Sequence, residues 1–545
     1  PEWFDFNGDV LQNKAKTFDE AGGMYESLNY ANFGIGEALL FRIGWKNSHP
    51  EESLPPIKQL AKLPDYFIHL CYPRTGALYD VNFGDSHNTI SAENCMMLLY
   101  ELGIRNDNML WYFNQVKEGQ NRDGYFRNRP IGFLYTPDTH NAPNIPNAIN
   151  SYLWKDFGWA TMRNNWNKDA TMIAVKSGYT WNHSHADANS FIIFHKGVEI
   201  IKDAGNCSYP NPAYRNYFFQ SDAHNVILFN GDGQPRTQQY HGAPLRGNLY
   251  YMMDAGNTKY VLANGTGPMS DKLSRNFRHF IWIDKLLLII DDIKSHQQGK
   301  FEWLWHPDGE VKKEGYYLNV TNGNAAISIC PLYPRLFAQS DFVHDYPDDV
   351  YLEEKEGPTE DLKSKEKYYS FHLPETTNMV KAVTAVIMKD SLNDKNLPQI
   401  ERREGKDWIG LRIKYNGQTT DLYINQLADG RLMHSNSWIE ADGWTTDAYM
   451  LAVTYKEGTN AADMEDFFVC YGSAVRRGST DYFSSLSKLF VIKNHAEGKD
   501  NFHIEGQQHV NATFRLAGKP TTVMVNEKET KVTYNKYGLN IKYEE

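Results

Sequence analysis

The residues best suited to chemistry are concentrated in one segment, TWNHSHADANSFIIFHKGVEIIKDAG at 180–205. Its amide and titratable side chains flank an apolar run: Asn182, His183, His185, Asp187 and Asp203. If residues 182–190 are extended, alternate side chains share a face, which predicts that His183, His185 and Asp187 point the same way. Imidazole and carboxylate groups bind zinc and transfer protons. The alternative is that these histidines begin a strand and bond only to the backbone.

A zinc site in this segment requires more than sequence spacing. A hairpin turning at 195–197 would put Asp203 on the face of His185, but roughly 13 Å away at ~3.3 Å per residue. Binding of one ion by both side chains therefore needs a different strand arrangement. His224, in the segment SDAHNVILFNG, is a third candidate ligand and precedes another predicted strand.

A second group of polar residues lies in DEAGGMYESLNYANFG, at 19–34. Glu26 and Tyr30 are four residues apart, so on a helix their side chains would share one face. A tyrosine in such a position can act as an acid or base, or it can simply pack against the core. The spacing alone leaves both interpretations open.

The composition limits the class of partner. The chain has 545 residues and a formal net charge of −11, which argues against nucleic acid as the main partner. An acidic substrate would need cationic groups concentrated locally.

Five single cysteines exclude a disulfide-dense scaffold and a CxxC metal motif. No segment approaches the ~18 apolar residues of a membrane span. The sequence starts at Pro1 without an initiator Met, so we expect it to begin inside a longer precursor.

The spacing of apolar residues changes near residue 150. Before this point, segments such as SAENCMMLLYELG have helical spacing and end at glycine. After it, short alternating segments closed by Gly, Asn and Asp predict antiparallel strands. We therefore predict an α+β multidomain chain, with a helical domain at 1–150, a central antiparallel β-sandwich at 151–380 and a C-terminal β-sandwich at 381–545. The charged segment 346–370 is interpreted as a surface excursion between strands.

The histidine-rich segment resembles the central motif of the heparinase II/III-like polysaccharide lyases. In that motif N-H-x-H-x-D-A precedes a strand, a K/R-G turn and D-A-G, and the likeness is greatest to heparinase II. Three other segments resemble the same family: FGWATMRNNW (157–166), AHNVILFNG (223–231) and YESLNYANFG (25–34). The resemblance covers residues from about 20 to 310. It implies that the N-terminal helices are the last, incomplete part of an α-helical toroid.

The resemblance implies a role for each matched residue. Tyr30 would be the catalytic acid and base, and His183 the catalytic histidine. One structural zinc ion would be held by His185, Asp203 and His224. The residues expected around the substrate cleft are Glu26, Asp85, His87, Arg163, Asn182, Tyr209 and Tyr214.

The activity implied by the resemblance is β-elimination on uronate-containing glycans, with a glycosaminoglycan such as heparin or heparan sulfate favoured, in a secreted or periplasmic protein. Cleavage of alginate or another uronate polymer, zinc-dependent hydrolysis and non-catalytic glycan binding are the alternatives.

In the family, an Asn or His well before the tyrosine neutralises the uronate carboxylate. Only 29 residues precede Tyr30, and none matches. We therefore expect this group from a preceding segment or from elsewhere, and a homo-oligomer is left open.

Overall fold

The computed structural model describes residues 2–13, 17–74, 77–90, 92–119, 130–178, 182–237, 244–314, 317–334, 352–430, 437–496, 499–506, 509–516, 518–520, 522–526 and 528–544. Helices occupy the N-terminal part of these residues: α1 (Glu2–Asn13), α2 (Leu28–Ser48), α3 (Leu63–His69), α4 (Glu93–Glu101), α5 (Asp107–Gly119) and α6 (Pro130–Tyr135). Within the described ranges, no helix is both long enough and apolar enough to cross a bilayer.

The longest helix, α2, positions one wall of the site described below. Leu28, Ala31, Ile35 and Leu39 recur every three or four residues along it and are buried, as expected for a helix with one face on a core. They share a hydrophobic cluster with strand residues of a neighbouring sheet, among them Met172. The first turn of α2 is thereby fixed against that sheet.

That neighbouring sheet is a five-stranded antiparallel meander. Its strands are β3 (Ser151–Trp154), β4 (Trp159–Arg163), β5 (Thr171–Lys176), β6 (Ser190–His195) and β7 (Val198–Ile201). Alternate residues of β5 enter different cores: Met172 and Ala174 pack with the helices, whereas Ile173 and Val175 face the opposite side. Both faces of the sheet are covered, which explains why β5 is an uninterrupted buried run.

Two further sheets complete the central β-sandwich. One contains β8 (Ile227–Phe229), β13 (Phe301–Trp305), β17 (Leu352–Pro358) and β18 (Lys365–His372). The other contains β9 (Asn248–Asp254), β10 (Thr258–Asn264), β11 (Leu273–Ile283), β12 (Leu286–Gly299), β14 (Glu310–Glu314), β15 (Tyr317–Asn322), β16 (Ala325–Tyr333) and β19 (Thr377–Lys389). Their inner residues meet those of the five-stranded sheet in one hydrophobic cluster.

The charged segment 346–370 differs from the prediction. Residues 346–351 lie outside the described ranges, but most of the remainder forms the hairpin of β17 and β18. Leu352, Tyr369 and Phe371 are buried in the central core, while the charged residues of both strands are exposed or half-buried. The charged segment thus forms a hairpin whose apolar residues reach the core.

The C-terminal strands form a fourteen-stranded sheet: β20 (Gln399–Glu404), β21 (Trp408–Tyr415), β22 (Gln418–Asn425), β23 (Ile439–Ala441), β24 (Trp444–Thr446), β25 (Met450–Lys456), β26 (Asp466–Arg477), β27 (Thr480–Ala496), β28 (Lys499–Glu505), β29 (His509–Phe514), β30 (Val523–Val525), β31 (Lys528–Glu529), β32 (Thr533–Asn535) and β33 (Gly538–Glu544). Strand pairs in the described ranges are antiparallel except for β28 with β30. The predicted boundary at 380/381 cuts through β19, which pairs with β12 and β16 of the central sandwich.

Candidate active site

Four segments meet where α2 approaches the five-stranded sheet: the first turn of α2 and the loops around residues 85, 183 and 209. Backbone contacts fix the first three, since the amide of Asp85 donates to the carbonyl of His183 at 3.1 Å and Ser27 Oγ donates to the carbonyl of Asp85 at 3.1 Å. Gly84 permits this approach, because its φ is +70° and a Cβ there would collide with the carbonyl oxygen of His183.

Asp85 is the centre of the site. Its Oδ2 accepts hydrogen bonds from His183 Nδ1 at 2.9 Å, Tyr214 OH at 3.0 Å and Tyr209 OH at 3.1 Å. Its Oδ1 accepts one from His185 Nε2 at 2.9 Å. Burial alone would raise the pKa of Asp85, but the hydrogen bonds from His183 and His185 hold it well below the usual range. Asp85 is therefore an ionised carboxylate, only 3% exposed.

The charge on Asp85 determines the tautomer that each histidine has when neutral, because an ionised carboxylate only accepts hydrogen bonds. His183 must carry its proton on Nδ1, so its Nε2 holds the lone pair. His185 must carry its proton on Nε2, so its Nδ1 holds the lone pair. One carboxylate thus prepares one imidazole as a base and the other as a ligand.

Tyr30 lies directly against His183. Their rings are stacked with centroids 3.4 Å apart and an interplanar angle of 8°. The hydroxyls of Tyr30 and Tyr209 are hydrogen-bonded to each other, and Tyr209 OH also lies 3.1 Å from His183 Nδ1. The roles that the resemblance implies for Tyr30 and His183 require the two side chains to meet at the cleft. They do meet, although 153 residues separate them in the sequence, and they form one wall with no gap between them.

Two open cavities adjoin this wall, with Asp85 and Tyr209 common to both. The smaller, of about 260 Å³, is also lined by Asn182, His183, Ser184, Tyr214, Arg215 and Phe219. The larger, of about 650 Å³, is also lined by Asn29, Tyr30, Phe33, His87, Asn206, Cys207, Ser208, Pro210 and Glu360. Polar groups and exposed rings such as Phe33, which is 67% exposed, are the usual lining of a sugar-binding cleft.

Behind the wall, His185, Asp203 and His224 form a buried cluster. One potential ligand atom from each lies within 4.8 Å of the others. His224 Nδ1 donates to Asp203 Oδ2 at 2.7 Å, and His185 Nδ1 and His224 Nε2 are buried ring nitrogens without a hydrogen-bond partner. Unpaired buried nitrogens are costly unless another group satisfies them. The cluster therefore fits a metal ion, and His183 is not one of its members.

The path of the chain around this cluster differs from the prediction. Residues 182–189 are not a strand, since His183 and Asn189 have φ of +52° and +68°. His183 and His185 both bond to Asp85, whereas Asp187 points elsewhere and pairs with buried Lys176 at 2.7 Å. His185 and Asp203 both lie in loops beyond the ends of β6 and β7, which removes the separation expected of a continuous hairpin.

Two residues expected at the cleft lie elsewhere. Arg163 is fully buried, its Nη2 donates to the carbonyls of His69 and Cys71 at 2.8 and 3.2 Å, and its guanidinium stacks on Trp166. It stabilises the contact between β4 and the helices and reaches neither cavity. Glu26 precedes α2, which begins at Leu28, so the predicted helical face shared with Tyr30 does not exist.

The structure adds a cleft residue that the sequence did not indicate. Glu360, in the turn between β17 and β18, has its Oε1 3.2 Å from His87 Nδ1 and accepts a hydrogen bond from the amide of Asn206 at 3.1 Å. The hydrogen bond with Glu360 raises the pKa of His87. No local pattern could have identified Glu360, because it lies among many charges and 273 residues after His87.

Residues 150–390 match the model of the family described as heparinase II/III-like, C-terminal. A heparin-sulfate lyase from Bacteroides stercoris is 24% identical over 173 residues, which are 30% of this chain and 24% of that protein. The chain thus matches about a quarter of the length of that curated relative.

Solved structures of low sequence identity share the fold. A heparinase III structure is 15% identical, with a TM-score of 0.59 over 78% of this chain and 63% of that one. A heparan sulfate lyase from Pedobacter heparinus is 18% identical, with a TM-score of 0.56 over 78% and 62%. The expected closer likeness to heparinase II is not confirmed, since these neighbours include heparinase III.

Proposed function

We propose that this chain is a polysaccharide lyase that cleaves uronate-containing glycans by β-elimination, with heparin or heparan sulfate as the favoured substrate class. The family match of residues 150–390 and the relative named a heparin-sulfate lyase support this activity. The observation that carries the proposal is the contact of Tyr30 with His183 beside two open cavities, with His183 held by the ionised Asp85.

In the proposed reaction, a base removes the proton at C5 of the uronate and an acid protonates the oxygen that leaves C4. Tyr30 reacts as its phenolate after passing its hydroxyl proton to His183; it then takes the C5 proton and delivers it to the leaving oxygen, because its oxygen is at the cavity wall. The lone pair of His183 Nε2 can accept the phenolic proton of Tyr30. It can also serve as the base for a uronate of the opposite C5 configuration. Asp85 touches both histidines and acts as a positioning residue.

We further propose that the metal is one structural zinc ion held by His185, Asp203 and His224. Two imidazoles and a carboxylate suit zinc. The ion would fix the two loops that carry His183 and Tyr209. Asp85 would orient His185 for the ion, because it accepts the Nε2–H of His185 and leaves Nδ1 as the ligand atom.

The helices α1–α6 would belong to an α-helical toroid, and the protein would act in the periplasm or outside the cell on an acidic polysaccharide. A carboxylate-neutralising Asn or His would come from another part of the protein or from a second subunit.

The test is a panel of heparin, heparan sulfate, chondroitin, hyaluronan and alginate incubated with the chain, followed by ultraviolet detection of the unsaturated product. Product formation from at least one polymer is expected. New reducing ends without ultraviolet absorbance would instead identify a hydrolase. Binding without any cleavage by the folded protein would identify a glycan-binding protein and contradict the lyase proposal.

A further inference from the structure

Arg215 supplies a positive charge to the smaller cavity. Among the described residues that line the two cavities, the acids are Asp85 and Glu360, His87 is already paired with Glu360, and Arg215 is the permanently charged cation. The net charge of the whole chain is −11. An anionic sugar entering this site would therefore find its favourable electrostatic partner at Arg215.

The guanidinium of Arg215 stacks on aromatic rings and makes no side-chain hydrogen bond to another described residue. It lies over the ring of Phe219, 4.5 Å from the centroid, and 5.4 Å from that of Tyr214. Both rings are buried, with 3% and 4% exposure, so they form a fixed platform. Arg215 itself is exposed and has no ion-pair partner within the described part of the chain. Stacking on rings orients the planar group and leaves its N–H donors directed at the cavity.

The platform is connected to the catalytic wall. Arg215 follows Tyr214 in one π-helical turn, Tyr214–Phe218, and the hydroxyl of Tyr214 donates to Asp85. Phe219 also packs on the ring of His185. The position of the guanidinium is therefore fixed relative to His183, which lines the same cavity.

We propose that Arg215 is the anion-recognition residue of the smaller cavity, binding an acidic group of the glycan through two parallel hydrogen bonds. The inference rests on the proposed function and adds to it the side chain that selects an acidic sugar. A uronate carboxylate and a sulfate ester share the required chemistry, since both offer coplanar or paired oxygens to a guanidinium.

The test measures binding by affinity electrophoresis in gels that contain heparan sulfate or chemically desulfated heparan sulfate. All variants are made in a Tyr30→Phe background, so that the polymer is not consumed. Arg215→Gln removes the charge, and Arg215→Lys keeps the charge but loses the paired donors. The matched control is Arg476→Gln, since Arg476 is also an exposed arginine over an aromatic ring, that of Trp438, but lies in the C-terminal sheet.

Arg215→Gln should weaken binding of heparan sulfate by about 10- to 100-fold, as expected for loss of a charged hydrogen bond. Arg215→Lys should be intermediate, and Arg476→Gln should equal its parent. A loss on both polymers identifies the carboxylate as the bound group, whereas a loss on the sulfated polymer alone identifies the sulfate.

Equal binding by Arg215→Gln and Arg476→Gln would overturn the inference, as would a parent that binds neither polymer. Binding that depends on Arg215, together with a Tyr30-containing chain that yields no unsaturated product, would instead leave the anion site standing and contradict the lyase proposal.

Discussion

At the scale of single residues, one carboxylate organises the whole site. Asp85 receives hydrogen bonds from His183, His185, Tyr209 and Tyr214, and thereby joins the exposed side of the wall to the buried cluster behind it. Four polar contacts on a side chain that is 3% exposed leave no freedom for it to bind a sugar on its own. Its contribution is to fix the orientation of groups that do face the cavities.

Replacing Tyr30 by Phe tests the proposed proton transfer at this scale. The ring stays stacked on His183, and only the hydroxyl is lost, so folding and polysaccharide binding should persist. Turnover should fall by at least about 100-fold, because general acid–base catalysis contributes roughly 100- to 10,000-fold. The measurement is the rate at which unsaturated product forms from the polymer of the panel that the unmodified protein cleaves fastest.

The matched control for this change is Tyr537→Phe, since Tyr537 is a strongly exposed tyrosine outside both cavities. It should retain full activity. If Tyr30→Phe turns over at the rate of Tyr537→Phe, Tyr30 is a packing residue and not the acid or base.

At the scale of elements, the site consists of loops that short contacts hold together. His185, Asp203 and His224 each lie beyond the end of a strand, so a metal ion would tie three loops to each other. Glu199 of β7 makes a further link, since its Oε2 accepts a hydrogen bond from Asn88 Nδ2 at 2.9 Å. That bond attaches the sheet edge to the loop of Asp85 and His87.

Removal of the metal should therefore lower stability before it affects sugar binding. We expect a chelator to lower the thermal midpoint of the protein, because a structural metal contributes directly to folding free energy. His185→Ala should show a similarly lowered midpoint and no further change with chelator. The affinity of His185→Ala for heparan sulfate should fall only slightly, even though its thermal midpoint falls clearly. His185 lies behind the wall and is not among the cavity-lining residues. Unchanged midpoints in both experiments would contradict a structural metal.

The link through Glu199 predicts a pH dependence of stability. Burial raises the pKa of Glu199 to about 8 from an ordinary value of 4.5, so the folded protein favours the protonated form. The stabilisation is fully present below about pH 4.5, declines above it, and is lost as the pH rises through about 8. The decline is at most about 5 kcal/mol, at ~1.4 kcal/mol for each unit of pKa difference.

Glu199→Gln should remove this dependence, because an amide cannot ionise. Urea unfolding of both proteins between about pH 5 and about pH 8 measures the difference. The free energy of unfolding of the unmodified protein should fall relative to that of Glu199→Gln over this interval. Parallel pH profiles would show that Glu199 ionises normally in the folded state.

At the scale of the whole molecule, the central sandwich and the C-terminal sheet share a hydrophobic cluster that encloses a charged network. Asp292 of β12 pairs with Arg275 at 2.6 Å and Lys381 at 2.9 Å, and it accepts a hydrogen bond from Tyr449 of the C-terminal part at 2.8 Å. These charges are nearly inaccessible to water. The network therefore favours one relative position of the two layers, since other positions would leave buried charges unpaired.

Asp292→Asn should lower the free energy of unfolding by about 3–5 kcal/mol, because two buried cations lose their counter-charge. Activity of the folded protein should be retained, since Asp292 lines neither cavity. Chemical unfolding measures the first effect and product formation the second. The control is Asp481→Asn, which breaks the exposed pair with Arg476 and should change stability by less than about 1 kcal/mol. Equal effects of the two substitutions would contradict this role for the network.

The sequence by itself determined those features that depend on near neighbours. Alternating apolar residues after residue 150 correctly predicted antiparallel strands, because a strand with covered faces must place its side chains with a period of two. The three residues that the family resemblance implied as ligands, His185, Asp203 and His224, do lie together in the structure. Within 346–370, the many charges led to the prediction of a surface excursion, and the hairpin of β17 and β18 was missed.

Only the tertiary structure decided how the groups act on one another. Asp85 lies 98 residues from His183 in the sequence, and Glu360 lies 273 residues from His87, so no spacing rule could pair them. The family resemblance implied that Arg163 lies at the cleft, yet the packing of β4 against the helices buries it. Which ring nitrogen of each histidine is free depends on the partner of the other nitrogen, and that partner is supplied by a distant loop whose position the packing of α2 on the sheet determines.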